Sequence, residues 1–144
     1  MRKLSLIAIV IMAAVSCNRT NPFLTEWNTP YGIPDFEAVQ EKHYVPAVEA
    51  GIRQQQSEID AIIADQDAPT FENVVEAYEC SGAILDRVVG VLFNLSETDG
   101  TDSLQKIVEQ VLPMLSAHSD NIFMNPYFFK KVEALYNDIE NLGL

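Results

Sequence analysis

Four successive stretches of this chain repeat apolar side chains at intervals of three and four residues, and each is closed by proline or a short polar connector. That spacing follows the 3.6-residue turn of an α-helix and is incompatible with the two-residue alternation of a half-buried strand. Val45, Val48, Ile52, Ile59 and Ile62 set the first stripe, from about His43 to Asp65, with Gln54, Gln55 and Gln56 interrupting it midway. Phe71, Val74, Tyr78, Leu85, Val88, Val89 and Leu92 carry the second, from Thr70 to about Leu95. Leu104, Ile107, Val108, Val111, Leu115 and Ile122 carry the third, from about Ser103 to Met124. Asn125 and Pro126 open the fourth, which continues through Phe128, Val132, Leu135 and Tyr136 to about Asn141. Helices joined by short connectors pack as antiparallel neighbours, so the expected fold is an all-α antiparallel helical array without a sheet.

Local chemistry supports these boundaries. Pro46 falls in a first turn, where its missing N–H breaks no helical bond, and Asn125-Pro126 pairs a cap with proline at the first helical position. Thr70 is an expected N-cap, with Glu72 at the positive end of the helix dipole. Gly82 and Gly90 weaken a helix interior by about 1 kcal/mol each against alanine, and their expected use is close approach of a neighbouring helix. Pro113 predicts either a kink or a division of the third stretch. Ser96 to Asp102 reads as a polar loop, and Phe36 to Gln40 as a short turn.

The first residues read as an address. Arg2 and Lys3 precede Leu4 to Val15, an almost unbroken apolar run too short for a helix crossing a bilayer, which takes about 20 residues. Ala14-Val-Ser-Cys17 fits a lipoprotein box in which Cys17 is acylated, with alanine at the position where leucine is usual. The expected organisation is therefore a signal peptide over 1–16, a tether and extended proline- and aromatic-rich arm over 17–35, and a helical region over 36–144. Phe23, Trp27 and Tyr31 are expected to anchor that arm by packing. The expected location is a bacterial periplasm or cell envelope, with the membrane reached through the lipid.

Losing the leader removes two of nine basic residues and none of 21 acidic ones, leaving a side-chain charge of −14. An acidic body of this kind lacks the basic footprint that nucleic acid requires. With Cys17 acylated, Cys80 has no intramolecular disulfide partner. It lies in a helical stretch beside Glu76 and Glu79, so a small buried side chain is expected rather than a nucleophile. The histidines, His43 and His118, are not followed by Glu and do not share an i, i+4 face. His118 is expected to be a surface or packing residue. No catalytic, cofactor-binding or metal-binding residue is assigned on this chain; Cys17 is the one modification site.

Asn21 to His43, Tyr44-Val-Pro-Ala-Val-Glu-Ala-Gly51, Thr70-Phe-Glu-Asn73, Gly82-Ala-Ile-Leu-Asp-Arg87 and Phe93-Asn-Leu95 together resemble the N-terminal region of the thimet oligopeptidase and peptidyl-dipeptidase family of zinc metallopeptidases, nearest its bacterial dipeptidyl carboxypeptidase branch. The resemblance covers about Asn21 to Leu144. It implies an all-helical wall of a deep channel that admits short peptides, with zinc held elsewhere by a His-Glu-x-x-His helix and a later Glu. On that implication the chain is a truncated or split product, inactive alone, whose partner is the missing C-terminal catalytic portion. The alternative is a stand-alone lipid-anchored helical module that binds peptides or another protein. A fragment should expose an apolar face where the rest of the enzyme belongs; an adapted module should be polar there.

Overall fold

A computed structural model describes residues 21–138, and the expected leader, Cys17 and the final residues 139–144 lie outside that range. The described residues are helical with no strand. Helix α1 spans Tyr44–Ala64, a π-helical turn spans Phe71–Glu76 and passes into the short α2 at Ala77–Glu79, and α3 covers Ala83–Thr98. Helix α4 covers Asp102–Phe123 and α5 covers Pro126–Asn137. Gly82 lies against Gln55 and Leu85 against Gly51, so α3 descends where α1 rises. Ser103 meets Glu41 and His118 meets Gln55, so α4 runs alongside α1 in the same direction and opposite to α3.

The helix starts are fixed by side chains. Thr70 Oγ1 accepts from the Asn73 N–H while Asn73 Oδ1 accepts from the Thr70 N–H, a reciprocal box that satisfies two donors. Thr101 Oγ1 caps α4 through the Leu104 N–H, and Asn125 Oδ1 caps α5 ahead of Pro126. The Ser96–Asp102 loop is shorter than expected, because α3 continues to Thr98 and leaves three residues before α4. Helix α4 passes through Pro113 without division; Pro113 is exposed, on the side of the helix away from the core.

The second helix is the main correction. In place of one run from Thr70 to Leu95, the chain breaks at Cys80–Gly82, where Gly82 takes a left-handed φ of +77°. Ser81 Oγ donates to the Tyr78 carbonyl at 2.7 Å, and the Gly82 N–H donates to Glu58 Oε2 at 2.8 Å, so the freed backbone groups find side-chain partners. The break also corrects Cys80. Placed where the helix ends and turns, its side chain is exposed rather than buried.

Glycine has a different role from the one expected. A Cβ on Gly90 would meet nothing within 4 Å, whereas one on Gly51 would stand 2.9 Å from both Cα and N of Leu85. Gly51 is therefore a point of close approach between α1 and α3. At Gly82 the crowding atom belongs to Gln55, 2.5 Å away, and the positive φ adds a second reason for glycine.

The apolar core falls into two compartments. Phe23, Tyr44, Ala47, Val48, Leu85, Val88, Leu92, Leu104 and Val111 form one. Ile59, Ile62, Val74, Ile122, Phe128 and Leu135 form the other.

Candidate functional site

Between the two compartments lies a polar layer, and it opens on a groove. His118 is buried and its Nε2 stands 2.9 Å from Gln55 Oε1; Gln55 Nε2 donates to Ser81 Oγ at 3.2 Å, and Ser81 Oγ–H donates in turn to the Tyr78 carbonyl. Gln55 Oε1 can only accept, so Nε2 of His118 carries the hydrogen. Burial holds the His118 pKa below its usual 6.5, so the neutral ring with Nε2–H is the form that fits. The relay ties α4 to α1 and to the break after α2.

The groove beside this layer, about 530 Å³ and open to solvent, runs between α1 and α4 and is lined by Ile52, Arg53, Gln56, Ser57, Asp60, Met114, Ala117, His118 and Asn121. Its walls offer hydrogen-bond donors and acceptors above an apolar floor. No hydrogen bond joins Ser57 to His118, and the Nε2 of His118 is already engaged by Gln55, so the arrangement is not a nucleophile and base.

A second cluster fixes the arm. Phe23 is fully buried, with its ring centroid 5.1 Å from that of Tyr44. Asn21 uses Oδ1 to cap Phe23 and Nδ2 to donate to the His43 carbonyl at 2.7 Å. Arg87 on α3 donates Nη1 to the Thr25 carbonyl at 3.0 Å and lies 4.8 Å above the Trp27 ring. Guanidinium stacking and carbonyl recognition together hold the arm against α3. The arm itself is built from single 3-10 turns at Pro22–Leu24 and Pro30–Gly32 joined by extended residues. Phe23 and Trp27 anchor it as expected, but Tyr31 does not: it is 99% exposed with a φ of +64°.

The His43 side chain belongs to neither cluster, although its carbonyl accepts from Asn21. Its Nδ1 accepts from the Gln40 N–H at 3.0 Å, and desolvation followed by the charge of Lys42 lowers its pKa. Among the described residues no three His, Cys, Asp or Glu side chains stand together as a metal site. With His43 closing a turn and His118 closing the relay, the donor set here does not fit zinc. Among the described residues no helix is long and apolar enough to cross a membrane.

Sequence reasoning missed Gln55, Ser81 and Arg87. For Gln55 a signal was present: Val48, Ile52, Gln55, Ile59 and Ile62 share one stripe, and Val111, His118 and Ile122 share another. Two polar side chains in facing buried stripes must find partners.

Comparison with known proteins shows sequence similarity to peptidases. No protein-family model matches the chain. Dipeptidyl carboxypeptidase of Salmonella typhimurium is 38% identical over 125 residues, covering 87% of this chain and 18% of the relative. The dipeptidyl carboxypeptidase of Escherichia coli is 36% identical over 124 residues, 86% of this chain and 18% of the relative. Oligopeptidase A of Escherichia coli is 28% identical over 116 residues, 81% of this chain and 16% of the relative. The chain thus spans less than a fifth of the length of the curated relatives it matches. Over most of its own length, it is a homologue of a segment of the bacterial peptidases named dipeptidyl carboxypeptidase and oligopeptidase A.

Proposed function

We propose that this chain is a non-catalytic wall segment of a peptidyl-dipeptidase-like zinc metallopeptidase that cleaves short peptides, with zinc and its ligands supplied by the remainder of such an enzyme. The observation carrying this reading is the pairing of 87% coverage of this chain with 18% coverage of a dipeptidyl carboxypeptidase. The donor chemistry of the described residues agrees with it, since both histidines are committed to hydrogen bonds that hold the fold. Zinc would activate water in the remainder of the enzyme. On this reading the groove between α1 and α4 faces the channel, where Arg53, Gln56 and Asn121 offer donors to peptide carbonyls or a terminal carboxylate.

The proposal extends to Cys17 as a lipid anchor in the cell envelope, resting on the basic start, the apolar run and Ala14-Val-Ser-Cys17. Fatty-acid labelling should mark the chain and be abolished by Cys17→Ser. The central test measures zinc content and cleavage of a short blocked peptide. The chain alone should do neither. A chimera in which it replaces the matching segment of the Escherichia coli dipeptidyl carboxypeptidase should do both. Stoichiometric zinc with chelator-sensitive hydrolysis by the chain alone would overturn the assignment, and a folded chain that fails in the chimera would favour the stand-alone binding module.

A further inference from the structure

Helix α5 buries one edge of its apolar surface and leaves the rest in water. Phe128 and Leu135 are 5% and 6% exposed, packed in the second core compartment. Phe129, Val132 and Tyr136 recur at i, i+3 and i+7 on the adjoining stripe, and they are 57%, 40% and 73% exposed. At 3.6 residues per turn the two stripes merge into one apolar arc of about 120°, wide enough for a full helix-packing face, of which only one edge is covered. Phe123 and Met124, 60% and 80% exposed, immediately precede the helix, and Tyr127, 65% exposed, flanks the buried stripe on its other side. Half of the large apolar side chains exposed among the described residues fall between Phe123 and Tyr136, a concentration rather than the usual scatter.

The charged side chains of this helix lie at the edge of the exposed face or away from it. Glu133 stands one turn from both Phe129 and Tyr136 and borders the face, whereas Lys130 and Lys131 lie on other sides of the helix. Lys131 donates Nζ to the Asp65 carbonyl at 2.8 Å, while Lys130 stands exposed with its Nζ 6.0 Å from the Tyr127 ring. The complementary surface is apolar at its centre. A second copy docking through this same patch would bring two acidic chains together. An anionic membrane would be repelled by the chain as a whole. The relatives supply a third occupant, since more than four fifths of each has no counterpart on this chain.

We infer that the face formed by Phe129, Val132 and Tyr136 is the surface on which the remainder of the peptidase docks. This rests on the peptidase reading above, and assigns that reading's missing contact to one helix face.

The test uses the same chimera with the Escherichia coli enzyme and the triple variant Phe129→Glu, Val132→Glu, Tyr136→Glu. In the chain alone the variant should melt within about 2 °C of the parent, because these side chains are exposed there already. In the chimera it should lower the melting temperature by 5 °C or more and reduce peptide cleavage at least tenfold. A control triple change on the groove side of α1, at Arg53, Gln56 and Ser57, should not lower the chimera's melting temperature. A parent chimera that is stable and active, with a triple variant equally stable and active, overturns the docking face and leaves the peptidase reading intact. A parent chimera that fails while the chain alone folds overturns both. Dimerisation of the chain alone at micromolar concentration, or its binding to phosphatidylglycerol vesicles, abolished in either case by the triple variant, would reassign the face to a second copy or to lipid.

Discussion

The same change, glycine to alanine, should have opposite signs at two helical positions of this chain. At Gly51 the new methyl would stand 2.9 Å from Leu85 Cα, 2.9 Å from Leu85 N and 3.0 Å from Leu85 Cβ. Two of those atoms are backbone, so no rotamer relieves the contact and α1 must move away from α3. Overpacking of this kind costs about 1–3 kcal/mol, and rigid backbone neighbours put it in the upper half of that range. The gain in helix propensity returns about 1 kcal/mol, leaving a net loss of about 1–2 kcal/mol. For a domain near this size that is a fall in melting temperature of about 4–8 °C. At Gly90 the methyl meets nothing within 4 Å and the residue is exposed, so only the propensity gain remains. Gly90→Ala should therefore stabilise by about 0.5–1 kcal/mol. Thermal and urea melts of both variants, followed by helical circular dichroism, decide it. Stabilisation by Gly51→Ala, or equal shifts at both sites, would refute the assignment of Gly51 as a point of close approach between α1 and α3.

Two further outcomes follow from the polar layer and the histidines. Gln55→Leu should destabilise by about 1–3 kcal/mol, because buried His118 loses its acceptor; the double variant Gln55→Leu, His118→Leu should be less destabilised than the single one, and a strictly additive result in urea melts would count against the relay. The pKa values of His43 and His118 are both lowered, by burial first and for His43 also by Lys42, so the folded state binds fewer protons than the unfolded one below the usual 6.5. Their contribution is complete above pH 6.5 and is lost as pH falls from there through the folded values, and His118→Gln should flatten this dependence between pH 5 and 6.5; an unchanged slope would refute it.

The four long helices were legible because each buries a continuous stripe, and periodicity reports burial directly. The break after α2 was not, although its pieces were in view. Gly82 was read as an aid to close packing, which is one of two uses of glycine; a φ of +77° is the other, and only the position of Glu58 and Gln55 opposite decides between them. Cys80 followed the same error, since a residue inside a helix and a residue ending one have different exposure. Tyr31 shows a further limit. An aromatic residue in a proline-rich arm is expected to pack, but the turn at Pro30–Gly32 points it outward. On the site, the resemblance blocks were visible as separate segments, while their contact was not: Asn21 and Phe23 from the arm, Tyr44 from the start of α1 and Arg87 from α3 meet in one cluster. Long-range pairing carries no periodic signal.

The two core compartments differ in how completely they are closed, and that difference connects the fold to the proposed role. In the first, Phe23 of the arm closes the end between α1 and α3, with Trp27 and Arg87 over it. The second holds fewer buried side chains, and its outer wall, α5, is apolar on the adjoining face as well. The polar layer of Gln55, Ser81 and His118 separates the two, and a satisfied buried network of this kind fixes helix register, because a slip by one turn would bury its donors against apolar neighbours. Register therefore fixes where α5 stands relative to the groove. A docking partner seated on α5 would complete the second compartment on one side while α1 and α4 keep the groove open, so the wall and its attachment use different surfaces of the same four helices.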